Sequence, residues 1–278
     1  MTTLASTLRR LAPAITPAFA LAIALGATGC ARPGEGRFAR STSLAGSLSV
    51  TSLPAVDVVN PNGTVHVVID EREPAARWEC NITGDRTVDP ATLARLRAEG
   101  MAATVVIQNG QNVIRIRPTE EMLNTPGVYV DVEVRAPSNR GVYIRSSGGP
   151  IVLTNVSGPI SITNGLREGP GGNVVLRTDH PLTDPVWIDT PRGNVECFIP
   201  PTAKGSFSLR TDDGEANFYA LQGALTRVRV SPQAWQGVLN AGTNEVVLRS
   251  GSGHVRCSVV DAPTSQRHQP GDPRSWDP

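Results

Sequence analysis

Six segments of this chain obey one rule: apolar residues at alternate positions, a polar turn, then alternation again. They cover residues 56–67, 105–116, 142–153, 186–197, 207–218 and 246–257. With a turn residue as position zero, each reads apolar-x-apolar-x-(Ser, Thr or Asn)-x-x-(Gly or Asn)-x-apolar-x-apolar. Strict alternation puts one side of a strand in a core and the other toward water. The first turn position can bond the backbone two residues on. Position zero is Gly63, Asn112, Gly149, Gly193, Gly214 or Gly253, the two residue types that best tolerate a left-handed backbone. A partial copy follows Gly172, with Val174 and Leu176 in matching places.

The same alignment disposes of an apparent acid pair. Asp212 and Asp213 occupy turn slots that hold Pro61-Asn62, Gly110-Gln111, Ser147-Gly148, Pro191-Arg192 and Gly251-Ser252 in the other copies. One acidic copy in six marks turn formers, not acid/base machinery.

Zero positions 193 and 214 are 21 residues apart, the intervals around Gly172 are 23 and 21, and the 39 between 214 and 253 is near two periods. That spacing predicts a solenoid whose like positions stack in sequence order. The alternative is an antiparallel β-sandwich of hairpins, which the turns suit equally well. One helix is expected over residues 89–100, from Pro90 in its first turn, Leu93 and Leu96 on one face, and Gly100 as terminator.

The stretches "TPRGNVEC", "TDDGEANF" and "SGSGHVRC" resemble bacterial repeat families of unknown function labelled putative adhesins. The resemblance spans roughly residues 53–260. It implies a right-handed β-solenoid of short strands and carries over no catalytic residue.

The first 29 residues read as an export leader: Arg9 and Arg10, then an apolar run broken by Pro13 and Pro17. Its end, "ATGC", resembles a lipobox, which implies lipidation of Cys30 and anchoring to the cell envelope. Ala31, in place of Asp, implies outer-membrane sorting in a Gram-negative cell. Residues 30–52 are small, polar and aperiodic and read as a flexible tether; residues 261–278 read as a disordered tail. The repeat domain is expected over 53–260.

Basic residues are almost all Arg, with Lys204 the single Lys, and net charge is +1. No basic stripe appears, which argues against nucleic acid as a partner. No zinc or calcium spacing is present, so neither a metal nor a cofactor is expected. Around His180, Asp179 and Asp184 could offer ligands, as a polar loop also would. No enzyme is expected; the alternative is a carbohydrate-active enzyme, a polysaccharide lyase or hydrolase, on the same solenoid.

A binding face is the stronger expectation. Tyr143 and Trp187 share the outward slot six residues before zero. Flat exposed aromatics can stack on sugar rings or anchor a protein. Asp189 and Arg210 share the slot four before zero and are expected to be neighbours able to meet an acidic sugar. The expected role is structural, adhesive or scaffold, with an envelope glycan or protein as partner beside the membrane held through the lipid. Finally, Cys197 and Cys257 both lie four residues past zero on the apolar side, with the Phe218 copy between them in sequence. Sequential stacking sets them at least two layers apart, about 10 Å. A disulfide needs Cα atoms within about 7 Å, so buried, unbridged thiols are expected.

Overall fold

The computed structural model describes residues 43–50 and 53–266. The leader, Cys30 and most of the expected tail lie outside them. In chain order the first strands are β1 (Ser43–Leu48), β2 (Ala55–Asn60), β3 (Val65–Ile69), β4 (Ala76–Gly84), β5 (Met101–Gln108), β6 (Gln111–Pro118), β7 (Val128–Ala136), β8 (Val142–Ser146) and β9 (Ile151–Thr154). There follow β10 (Ile160–Asn164), β11 (Val174–Arg177), β12 (Val186–Arg192), β13 (Val195–Ile199), β14 (Gly205–Asp213), β15 (Ala216–Ala220), β16 (Leu225–Ser231), β17 (Ala234–Leu239), β18 (Glu245–Ser252) and β19 (Val255–Val259).

These strands build two mixed sheets. The first is ordered β1-β4-β7-β3-β9-β11-β13-β19-β15 and the second β16-β17-β14-β18-β12-β10-β8-β2-β6-β5. In five copies of the repeat the two strands do not pair with each other. One enters each sheet and pairs in parallel, in register, with like strands of other layers: Ile160 opposes both Val142 and Val186, and Val174 opposes Ile151 and Val195. The copy glimpsed after Gly172 is complete, formed by β10 and β11. Inward Val, Ile and Leu from both sheets make one core, Val56, Val65, Ile144, Leu153, Ile188 and Val195 among them. Each such side chain contributes roughly 1.5–3 kcal/mol by leaving water.

The turn residues do more than close each copy. Ser146 and Thr190 donate to backbone two residues on, at Gly148 and Arg192. Thr190, its one proton shared, also belongs to a buried polar ladder that ties layer to layer. Asn164 Nδ2 donates to the carbonyl of Gly149 (2.9 Å), Thr190 Oγ1 to Gly172 (3.0 Å), and Ser250 Oγ to Gly193 (2.7 Å). The glycines stack beside this ladder. A Cβ at Gly149, Gly172, Gly253 or Gly214 would stand 2.3, 2.3, 2.3 and 2.2 Å from the carbonyl oxygens of Gly63, Gly149, Gly193 and Gly253. Gly193 also needs its freedom of backbone, with φ +101.

Antiparallel pieces cover the ends of the parallel stack. At one end β4 pairs with β7 and β1, and the hairpin β5–β6 extends the second sheet. Helix α1 (Pro90–Glu99), capped by Asp89 accepting from the Thr92 N–H, buries Leu93 and Leu96 there. A second, one-turn helix, α2 (Glu120–Leu123), buries Met122. At the other end β16 and β17 pair antiparallel, and Trp235 stacks on Phe218, ring centroids 4.2 Å apart.

Several expectations need correction. Asn112 is not a turn position. Gln108 opposes Gln111, so the hairpin turn is Asn109-Gly110, both with positive φ (52 and 76), the Asn-Gly pair favoured in two-residue hairpins. The alternation keeps its phase, since Val105 opposes Ile114, but Ile107 beside the hairpin turn is 77% exposed. Part of the expected tether is strand β1, and Pro263 in the expected tail is buried while Thr264 bonds Asp179. Last, the layers do not follow chain order. β18–β19 lies between β12–β13 and β14–β15. Cys197 and Cys257 are therefore directly opposed, not two layers apart.

Candidate functional site

Alternation fixes which side chains leave the second sheet. Two rows cross its outer face, perpendicular to the strands. The row six before zero runs Asp57, Tyr143, Trp187, Val247 and Ser208, with Ser161 brought into it by register between Tyr143 and Trp187. Tyr143 and Trp187 are 40% and 42% exposed. Ser161 is directly opposite both, so the rings stand two strand spacings apart, about 10 Å. Nothing larger than a serine rises between them. Val247 beside Trp187 points the same way yet is nearly buried.

The row four before zero runs Val59, Arg145, Thr163, Asp189, Arg249 and Arg210. Asp189 and Arg210 are not neighbours, because the displaced strand β18 places Arg249 between them. Arg210 instead meets Asp212 at 3.6 Å, an exposed pair of little energetic weight. Among the described residues no ion pair engages Arg145, Asp189 or Arg249. Asp57, at the end of the aromatic row, accepts from Arg117 and lies 3.7 Å from Arg115.

Two shallow depressions open on this face. One, of about 340 Å³, includes Asp57, Tyr143, Arg145, Ser161 and Thr163. The other, of about 330 Å³, includes Thr163, Asp189, Asp212 and Arg249. A larger one of about 680 Å³ lies on the first sheet beside Arg77, Glu79, Glu133 and Arg135. Its arginines are engaged by acids, Arg77 with Glu73 at 2.7 Å and Arg135 with Glu133, so it offers a ligand less free charge. Tyr143 and Trp187 come together with Asp189 on one surface, as the slots suggest; Arg210 falls at its edge. Arg145 and Arg249 were legible in the same slot as Asp189. Tyr219, 49% exposed with Arg256 4.9 Å over its ring, belongs to the other sheet.

The polar loop at His180 offers no metal cluster. Asp179 accepts from the backbone N–H and hydroxyl of Thr264, and Asp184 accepts from Thr183. Among the described residues no group of three or more His, Cys, Asp or Glu converges to hold a metal ion. His66 faces Glu133 across the strands, and His254 Nδ1 accepts from the Glu215 N–H at 3.2 Å.

No family model matches the chain, and no curated protein matches it. Among solved structures it is similar to a "putative cell adhesion protein" from Clostridium sporogenes ATCC 15579, 10% identical, with 80% of this chain and 100% of that one covered and a TM-score of 0.49. It is also similar to a "putative adhesin" from Bacteroides fragilis NCTC 9343 (9% identical, 79% and 97% covered, TM-score 0.27). A third is a "putative lipid binding protein" from Parabacteroides distasonis ATCC 8503 (9%, 77% and 96%, TM-score 0.27).

Proposed function

We propose that the chain is an exported envelope lipoprotein, anchored through Cys30, whose domain binds an extended glycan in an adhesive or scaffold role. The supporting observation is the pairing of Tyr143 and Trp187 on one row, with Arg145 and Arg249 on the next row, engaged by no ion pair among the described residues. Two rings about 10 Å apart on one face of the sheet suit the repeat of two sugars laid across the strands. The arginines face the edge of such a ligand, where hydroxyl or carboxylate groups project. We read the fold as a right-handed β-solenoid. Its support is the parallel register between layers and the strong right-handed rule for connections between parallel strands.

The test is a glycan array probed with the full-length protein in detergent. Binding to an extended, acid-bearing glycan that Trp187→Ala weakens several-fold and Tyr219→Ala spares is the expected result. Binding indifferent to Tyr143→Ala and Trp187→Ala would refute the reading. Cys30→Ala should in addition abolish lipid labelling and release the protein from membranes.

A second reading, a glycan-cleaving enzyme, rests on Asp189 and Asp212 lining one depression. Arg210 lies 3.6 Å from Asp212 and engages that carboxylate in an exposed ion pair. Incubation of candidate glycans with the protein, read as new reducing or unsaturated ends, separates the readings.

A further inference from the structure

We propose that Cys197 and Cys257 are an oxidisable pair that closes into an inter-layer disulfide, latching the displaced strands β18–β19 onto β12–β13.

The two residues are opposed in register on parallel strands β13 and β19, and both face the core. Directly opposed residues on paired strands have Cα atoms about 4.8 Å apart, inside the roughly 4.4–6.8 Å window that a disulfide requires. The two thiols lie side by side on one face of the sheet, and neither is bridged. Cys80, the third thiol of the described residues, is on β4 opposite Leu44 and Val132, with no cysteine partner. It is the internal control.

Closure needs an oxidant of the disulfide class. One thiolate, of Cys197 or Cys257, attacks a sulfur of that disulfide and releases one thiolate, leaving a mixed disulfide on the protein. The second cysteine thiolate attacks the protein sulfur of this bond and releases the other half. The protein gives up two electrons and two protons; the oxidant leaves as two thiols. Both sulfurs are all but inaccessible in the folded chain, and burial holds the Cys257 thiol above its ordinary pKa. Exchange therefore belongs to the stage before β19 seats between β13 and β15. The residues are 60 positions apart, and closing a loop of that length favours folding roughly a thousandfold in the chain-entropy account.

The experiment uses the full-length protein, unfolded and refolded with and without oxidised glutathione, then alkylated in denaturant and peptide-mapped. The expected product after oxidative refolding is a linked 197–257 peptide two hydrogens lighter than the two thiols, with Cys80 alkylated. Its thermal midpoint should exceed that of the reduced protein. Cys197→Ser and Cys257→Ser should each remove the oxidant-dependent part of the midpoint, and the double variant should remove no more. Alkylation of both cysteines after oxidative refolding to the native fold overturns the proposal, as does a Cys80 bridge. Protein taken from the cell envelope reports separately on export. A bridge on refolding but thiols in the envelope preparation would count against export and leave the pair's assignment supported.

Discussion

Thr211 Oγ1 donates a 2.7 Å hydrogen bond to the carbonyl of Gly253, a residue 42 positions later in the chain. Ser250, in turn, reaches back to Gly193. The polar ladder thus records the spatial order of layers, in which residues 245–259 come before 205–220. Four expectations follow from this geometry.

The aromatic row should carry affinity without carrying the fold. Tyr143→Ala and Trp187→Ala each remove a half-exposed ring, and each should weaken glycan binding by about 1 kcal/mol, several-fold in dissociation constant. The change in folding stability should stay within about 0.5 kcal/mol. Titration calorimetry and urea denaturation on the same preparations read the two quantities.

Glycine substitutions should split by environment. At Gly193 a Cβ meets the Gly172 backbone at 2.5 Å and φ is +101, so Gly193→Val combines strain with overpacking and should cost about 3 kcal/mol or more. Gly110 has φ +76 but open space around it, and Gly110→Ala should cost about 1–2 kcal/mol. Asp213→Asn should be close to neutral. Equal losses at Gly193 and Gly110 would contradict the close-packed glycine stack.

Trp235 closes one end of the core, 5% exposed and parallel to Phe218. Trp235→Ala should cost about 3–5 kcal/mol, seen as an earlier denaturation midpoint. A loss below about 1 kcal/mol would mean that the antiparallel end piece is not part of the cooperative unit.

Acid should weaken the fold through His66. Burial lowers its pKa from the ordinary 6.5, and Glu133 opposes that effect only in part. The unfolded chain therefore binds more protons there than the native one, and stability rises with pH through this residue's titration. The penalty is absent well above pH 6.5 and grows as pH falls below it. His66→Gln should flatten the pH dependence of the urea midpoint between about pH 7 and 5. An unchanged slope would exclude this residue as its source.

The repeat was legible because it is local: a two-residue period, a polar first turn position, and glycine where layers touch. The helix at Pro90 was legible for the same reason. The positions of Arg249 and Cys257 were not. Both depend on which copies are neighbours, and a segment with the right period fits any gap of the right width. Spacing suggested chain order, while the actual order reflects long-range pairing that no local residue announces. The Asn109-Gly110 hairpin was misread for a narrower reason. Its residues satisfy the repeat rule with Asn112 at zero, and only the Asn109-Gly110 pair marks the two-residue turn that forms instead.

The displaced strands change what a premature stop would do to this protein. A chain ending before Glu245 would not lose a terminal ornament but an inner storey. β14 would keep only β17 beside it, β15 would have no ladder partner, and the inner faces of Leu209 and Val195 would open to water. Strands β18 and β19, though later in the chain than β14 and β15, are thus the keystone of the stack.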